Sequence, residues 1–213
     1  MDQAEAEAAA RQGYDRMAQA YTDHVSLEMT VPSIVRSALE TFAAQVQSQG
    51  GGMVADVGCG PGHVTHYLAQ LGLDIFGIDN SPSLLEIARA AHPGLRFEFG
   101  QLASLSIDTG ALAAVVSRHS LIHTPAKFVP AVLDEFARVL AAGGLLFVSF
   151  FGAEDPSTHG RAFDHAVTTA YELDIDTMAE HVRAAGFTEE LRIIRQPKAN
   201  DRQLPHGFFI AHL

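Results

Sequence analysis

The chain has 213 residues, 47% hydrophobic and 18% charged, which is enough for one substantial core and too few for two ordinary domains. Its 14 Lys and Arg residues against 25 Asp and Glu give a net charge of -11, which argues against an extended phosphate backbone as a partner. A lone cysteine, Cys59, rules out an internal disulfide and a thiolate metal cluster. We therefore expect a single domain over residues 1–213 and no nucleic-acid partner.

The N-terminal stretch MDQAEAEAAARQ is acidic and lacks the positive and apolar regions of a secretory signal. The chain also has no apolar run long enough to cross a bilayer. These patterns predict a cytoplasmic protein without a membrane partner.

Residues 1–48 are predicted to form a helical N-terminal cap. Apolar side chains recur at helical spacing from Tyr14 through Tyr21 to Val25. A second periodic run begins at Val31–Pro32 and continues to Val46, and the glycines at 50–52 end it.

Short apolar runs then alternate with helical patterns over residues 53–151, the predicted cofactor-binding core. This alternation indicates parallel strands with crossover helices on both faces, a doubly wound Rossmann-like α/β fold whose ligand site lies at the carboxyl ends of the strands. The predicted strands are 53–57, 74–79, 95–99, 113–117 and 145–151, and the helices are 63–70, 83–91 and 127–140.

The pattern changes after Phe151. Residues 153–174 are polar and rich in turns, with a strand-like run at 166–173. A helix at 177–185 follows, and then two strands, 191–195 and 207–213, joined by a polar connection over 197–205. These two strands complete a mostly parallel seven-stranded sheet.

The turn after the first strand reads Asp-x-Gly-x-Gly-x-Gly, from Asp56 to Gly62. Glycines at alternate positions let a ligand approach the backbone, and the following helix offers free N–H groups. Its spacing differs from the G-x-G-x-x-G of dinucleotide sites, which argues against NAD. Asp79 ends the second strand, where an acid can bind both ribose hydroxyls. The alternative is a turn that serves packing alone.

Four segments, VADVGCGPGHVT (54–65), FGIDNSP (76–82), VVSRHSLIHT (115–124) and FARVLAAGGLLFVSF (136–150), resemble the class I S-adenosylmethionine-dependent methyltransferases. The resemblance covers roughly residues 14–213. It is strongest to the small-molecule enzymes of the ubiquinone-methyltransferase-like group.

The resemblance implies a set of cofactor contacts. The first motif would hold the methionine part of the cofactor, the acid after the second strand its ribose, and the segment after the third strand its adenine. Gln101 stands where the family often has an acid, and its amide oxygen can still accept the adenine amino group. Tyr14 and Tyr21 would close over the cofactor, or are ordinary core residues of a helix. The resemblance implies contacts at Asp56, Gly58, Gly60, Gly62, Asp79, Gln101 and Leu102, and the full set of predicted cofactor contacts adds Tyr14, Tyr21, Cys59, Asn80, Ser117 and Arg118.

Methyl transfer mainly requires alignment of a nucleophile and exclusion of water. His119 and His123 follow the fourth strand and are the candidate general bases, because imidazole titrates near neutrality. His123 matches a histidine common in the family, for which a structural hydrogen bond is the alternative role. The two histidines are four residues apart, but no third ligand is evident, so we expect no metal.

The segment 153–174 lies where such enzymes build a substrate cover. His165 and Tyr171, together with His119, are the expected contacts to the acceptor, and a polar surface hairpin is the alternative.

The sequence thus predicts a cytoplasmic S-adenosyl-L-methionine-dependent methyltransferase, monomeric or homodimeric, acting on an O, N or C atom of a small molecule. Two alternatives remain: a protein or non-methylating enzyme that binds the same cofactor, and, less favoured, a nucleotide-dependent oxidoreductase.

Overall fold

The computed structural model describes residues 2–25, 33–153, 155–197 and 203–213. Its α-helices are α1 (Gln3–Val25), α2 (Ile34–Ser48), α3 (His63–Gln70), α4 (Pro82–Ala91), α5 (Val129–Val139) and α6 (Ile175–Ala184). The strands are β1 (Met53–Val57), β2 (Asp74–Asp79), β3 (Phe97–Phe99), β4 (Leu112–Arg118), β5 (Leu140–Ala153), β6 (Ala162–Asp164), β7 (Thr169–Tyr171), β8 (Leu173–Asp174), β9 (Thr188–Arg195) and β10 (His206–His212). Short 3₁₀ turns cover Leu121–His123, Ala126–Phe128 and Pro156–Thr158.

Seven strands of the main sheet run in the order β3-β2-β1-β4-β5-β10-β9. The first five are parallel to one another, whereas β10 pairs antiparallel with both β5 and β9. The two-residue strand β8 pairs only with the end of β5. The predicted doubly wound, mostly parallel seven-stranded sheet is confirmed.

Hydrophobic cores lie on both faces of the sheet. Because successive side chains of a strand point to opposite faces, Val115 of β4 joins a core with α5 and α6, while Val116 joins the other core, with α2 and α3. Phe136 of α5 and Phe42 of α2 are fully buried on these two faces. Buried parallel strands of this kind explain the continuous apolar runs in the sequence.

Several predicted boundaries differ from the structure. The predicted helix start at Val31–Pro32, and part of the 197–205 connection, lie outside the described residues; the described part of α2 begins after Ser33, whose side chain caps the helix. Strand β5 extends beyond the predicted 145–151 at both ends. The run at 166–173 divides because β7 pairs with β6 in a hairpin and β8 pairs with β5. None of the described helices is long and apolar enough to cross a membrane.

Helix α1 is attached to the carboxyl edge of the sheet. Asp15 accepts hydrogen bonds from the Ser81 hydroxyl (2.6 Å) and the Ser83 N–H (3.2 Å) at the start of α4. On another side, Gly13 lies so close to Val167 that an added methyl group would be 2.7 Å from the Val167 side chain and carbonyl oxygen. The N-terminal cap and the 153–174 insert are therefore in direct contact.

We expect Gly13→Ala to lower the melting temperature, although alanine is the better helix former. The new methyl group meets a backbone carbonyl, and overpacking of this kind costs about 1–3 kcal/mol, more than the ~1 kcal/mol gained in helix propensity. Gln12→Ala, at the exposed neighbouring position, is the matched control and should leave the melting temperature unchanged or higher. Equal melting temperatures for the two variants would contradict the close contact.

Candidate active site

A cleft of about 650 Å³ opens at the carboxyl ends of the parallel strands. It lies between α1, the turn after β1 and the segments that follow β2 and β4. Its walls are formed by Ala6, Glu7, Ala10, Tyr14, Tyr21, Gly58, Gly60, Asp79, Asn80, Leu84, Leu102, Arg118, His119, Ser120, His123 and Thr124.

The three glycines of the turn all have positive φ, which favours glycine, but their surroundings differ. A side chain at Gly58 would collide with Ser120, and one at Gly62 would come within 2.8 Å of the Phe97 ring. At Gly60 the nearest atom is 3.6 Å away, on the ring of Tyr21, so this glycine faces the cleft. Gly58 and Gly62 are therefore closely packed, whereas the backbone at Gly60 is open.

Asp79 holds the turn in place. Its carboxylate accepts the N–H of Gly60 at 2.8 Å on one oxygen and the N–H of Ser81 at 2.8 Å on the other. Burial raises the pKa of Asp79, and these hydrogen bonds oppose the increase. Each oxygen retains a second acceptor position, so bracing the turn and binding hydroxyl groups are compatible.

Asp56 and Cys59 lie behind the turn, and neither lines the cleft. Asp56 is almost completely buried and accepts the Thr65 hydroxyl at 2.6 Å, which ties β1 to α3. The Cys59 side chain lies in an apolar cluster with Phe97, and burial raises the pKa of its thiol. Like Gly62, they are not among the residues that line the cleft, and their contact with a cofactor stays a prediction.

Tyr14 and Tyr21 both line the cleft, with ring centroids 5.0 Å apart. The Tyr14 hydroxyl is 3.1 Å from Nε2 of His123, and Nδ1 of His123 is 2.8 Å from the carbonyl oxygen of Thr169. Because a carbonyl only accepts, Nδ1 carries the proton and Tyr14 donates to Nε2. Both ring nitrogens of His123 are engaged, which favours the structural alternative for this residue.

The predicted residues after β3 and at the end of β4 also differ in whether they line the cleft. Leu102 and Arg118 line the cleft. Gln101 is exposed and forms an isolated bridge with Ser104, away from the cleft lining. Ser117 is fully buried and hydrogen-bonded to Ser120.

His119 lines the cleft and is held by its backbone as well as its ring. Its backbone N–H donates to the carbonyl oxygen of Ser149 at 3.0 Å and lies 3.2 Å from the Ser149 hydroxyl. Its ring nitrogen Nε2 is 3.2 Å from Nδ1 of His206. Burial is the main cause that holds the pKa of His119 well below its ordinary value, and Arg118 adds to it.

Two residues predicted to contact the acceptor lie outside the cleft lining. The His165 ring lies 5.2 Å from that of His123, and Tyr171 lies in the β6–β7 hairpin; neither lines the cleft. Among the described residues, no group of three His, Cys, Asp or Glu side chains is arranged to hold a metal.

The sequence prediction missed His206, Ser120 and Glu7. His206 is the first residue of the last strand and reaches His119 because β10 lies beside β5. Glu7 lies outside the motifs, and the helical spacing of Glu7, Tyr14 and Tyr21 was its available signal. Ser120 lies within the 115–124 segment but was not singled out.

Residues 54–144 match a protein family described as "Methyltransferase domain". This segment of the chain carries a methyltransferase domain. The resemblance seen in its motifs is confirmed, since the matched region contains the glycine turn, Asp79 and the segment after β4.

Curated relatives of this methyltransferase domain act on different substrates. The chain is 33% identical over 104 residues to "Ubiquinone biosynthesis O-methyltransferase" of Xanthomonas oryzae, covering 46% of this chain and 43% of the relative. It is 26% identical over 155 residues to "Phosphoethanolamine N-methyltransferase 1" of Arabidopsis thaliana, covering 70% and 31%. The chain thus spans less than half the length of these relatives.

Solved structures share the fold of this chain, two of them over its full length. A Burkholderia thailandensis 1,6-didemethyltoxoflavin-N1-methyltransferase, crystallised with its acceptor and S-adenosylhomocysteine, has a TM-score of 0.73 and 21% identity, covering 100% of this chain and 90% of its own. Magnesium protoporphyrin IX methyltransferase of Synechocystis, with bound S-adenosylmethionine, has a TM-score of 0.69 and 18% identity, covering 100% and 97%. The [4+2]-cyclase SpnF has a TM-score of 0.64 and 20% identity, covering 81% and 80%.

The buried Asp56 carboxyl predicts a pH-dependent stability. Burial raises its pKa to about 7, while in the unfolded chain the group ionises near pH ~4. Between these values only the unfolded chain loses the proton, so this group makes folding less favourable as the pH rises from about 4 to about 7.

Asp56→Asn removes this titration and keeps an oxygen for Thr65. We expect the free energy of unfolding, from urea denaturation, to fall less between about pH 4.5 and pH 7 than in the parent, by roughly 1–4 kcal/mol. Asp74→Asn, at the exposed start of β2, is the control and should keep the parent's pH dependence. Parallel profiles for parent and Asp56→Asn would contradict the assignment.

Proposed function

We propose that this chain binds S-adenosyl-L-methionine in the cleft and transfers its methyl group to a small-molecule acceptor. The observation that carries this proposal is the hydrogen bond from Gly60 to Asp79, which joins the open glycine turn and the ribose acid in one cleft. The methyltransferase domain match over residues 54–144 supports it independently.

The cleft offers the groups that the cofactor requires. Gly60 leaves its backbone accessible beside Tyr21, which suits the methionine part. Asp79 and Asn80 supply hydrogen-bonding groups for the ribose, and Leu84 and Leu102 supply apolar surface for the adenine. Gln101, Ser117 and Arg118 complete the proposed set, with Asp56, Cys59 and Gly62 acting through the shape of the turn.

When bound, S-adenosylmethionine supplies an electrophilic methyl group on a positively charged sulfur. Tyr14 and Tyr21 place aromatic rings at the cleft, and aromatic faces attract cations. The α1 cap covers the cleft, and removal of water favours a reaction in which the positive charge on sulfur is dispersed in the transition state. His119 stands among the lining residues as the proposed base, while His123 holds Tyr14 in position.

The acceptor enters from the side of the 153–174 insert in this proposal. The insert reaches the cleft through the Thr169 carbonyl on His123 and through Val167 on Gly13. His165 and Tyr171 are the proposed acceptor contacts, reached when the insert moves away from the cap.

We also propose a class of substrate, an oligomeric state and a cellular location. A net charge of -11 favours small molecules over nucleic acid as substrates. A cytoplasmic location, and a monomeric or homodimeric state, are also part of the proposal.

A cofactor-binding protein or non-methylating enzyme on this fold is the second candidate. The likeness to the [4+2]-cyclase SpnF favours keeping it, because that neighbour is named for a different reaction. Formation of S-adenosylhomocysteine with an acceptor decides between them. A nucleotide-dependent oxidoreductase is less favoured because of the glycine spacing, and NAD or NADP in the purified protein would support it instead.

Asp79→Ala should weaken binding of S-adenosylmethionine by tenfold or more, because a hydrogen bond to a charged group contributes about 1.5–3 kcal/mol. Isothermal titration calorimetry measures this, and Asp74→Asn on the same strand is the control. Asp79→Asn retains an acceptor for the Gly60 N–H and should lose less than Asp79→Ala. Undiminished affinity in Asp79→Ala would remove the ribose assignment.

A screen of small-molecule acceptors, read as S-adenosylhomocysteine formed, tests the transfer itself. We expect His119→Ala to lower kcat by about 10²-fold, as for loss of a general base, with little change in cofactor affinity. His66→Ala, a histidine outside the cleft lining, is the control. Equal turnover in His119→Ala would leave alignment as the whole mechanism.

A further inference from the structure

We propose that His119 and His206 act as a dyad in which His206, as a positioning residue, fixes the tautomer of His119. In this dyad Nδ1 of His119 takes the proton that the acceptor loses on methylation. The inference rests on the proposed methyl transfer and narrows its substrate class. The atom that is methylated carries a proton, as in the O–H or N–H group of a neutral acceptor.

The backbone of His119 is the first observation. Its φ of 51° is the single positive value outside glycine among the described residues. Such a conformation is strained for a residue with a side chain and is kept where neighbours enforce it. Here Ser149 enforces it, since its carbonyl oxygen lies 3.0 Å and its hydroxyl 3.2 Å from the His119 N–H. This backbone conformation places the His119 ring beside the cleft, just after the end of β4.

The ring hydrogen bonds are the second observation. Nε2 of His119 lies 3.2 Å from Nδ1 of His206, so one of the two nitrogens donates. Nδ1 of His119 is buried and has no hydrogen-bond partner among the described residues. If His206 donated, that buried atom would be an unpaired N–H, which folded proteins avoid. The favoured arrangement has Nε2–H of His119 donating to His206 and a bare lone pair on Nδ1.

The surroundings keep this lone pair available. The rings of Phe151 and Phe208 lie 4.9 Å and 6.3 Å from that of His119. The charged or titratable groups that face it are Arg118, Arg195, His165 and His206, and all of them disfavour a second proton on the ring. His119 is therefore neutral near neutral pH, with its pKa held low by burial first.

A weak base is sufficient for the step proposed. As the acceptor oxygen or nitrogen bonds to the methyl carbon, the carbon–sulfur bond breaks and its electron pair stays on sulfur. The acceptor atom becomes positively charged, and its proton becomes strongly acidic. That proton passes to Nδ1 of His119 and then to water. A carboxylate or a tertiary amine has no such proton and would gain nothing from the dyad.

The tautomer is measured directly by long-range ¹H–¹⁵N correlation NMR of the full chain labelled at histidine, at about pH 7. His119→Ala identifies the His119 signals by their loss. We expect a protonated Nε2 and a bare Nδ1 in the parent, which requires no acceptor. A protonated Nδ1 would overturn the dyad.

Substitutions at His206 test the positioning role. Asparagine carries an oxygen near the place of Nδ1, so His206→Asn should keep the parent tautomer, whereas His206→Leu should give mixed tautomers. His212→Leu, at the far end of the same strand, is the matched control and should leave the His119 signals unchanged. An unchanged tautomer in His206→Leu would contradict positioning by His206.

Kinetics with a proton-bearing acceptor from the screen complete the test. We expect His206→Leu to lower kcat by about tenfold or more while KM for S-adenosylmethionine stays constant, and His206→Asn to recover most of the loss. Equal kcat in all variants would overturn the base role. Failure of the proposed function has a different signature, namely no S-adenosylhomocysteine with any acceptor while His119 keeps the expected tautomer.

Discussion

The hydrogen bond between the Gly60 N–H and the Asp79 carboxylate is the contact on which the rest of the cleft depends. It joins the turn after β1 to the end of β2 at 2.8 Å. Asp79 is buried there, so its charge would be costly without a partner. The turn then keeps its one open glycine towards the cleft, and the same carboxylate fixes the start of α4 through Ser81. The ribose acid of the proposal is thus also the brace of the glycine turn.

The cover of the cleft is assembled from parts distant in sequence. Tyr14 of α1 donates to His123, and His123 donates to Thr169 of the insert, so one imidazole connects the cap, the 3₁₀ turn after β4 and the hairpin. Asp15 holds the other side of α1 on α4. These contacts hold a long polar helix over the cleft.

Some residues of the cleft could be predicted from a short stretch of sequence, and others depend on contacts between distant parts of the chain. Gly58 and Gly60 could be predicted to lie at the cleft because a turn is a local feature with a fixed spacing, whereas the structure places Asp56 behind the cleft. Glu7 and His206 were missed because their place depends on how α1 and β10 pack. Hydrophobic periodicity predicts that such elements exist and leaves their neighbours open.

The sequence by itself determined the doubly wound sheet, the glycine turn and the acid that follows it, since alternating apolar runs and positive-φ glycines are constraints within a few residues. Only the tertiary structure decided how the ring nitrogens of the two histidines are hydrogen-bonded. His123 has both nitrogens engaged, while Nδ1 of His119 is left without a partner. The reason is physical: a tautomer is set by hydrogen-bond partners, and here these come from β7 and β10, far along the chain.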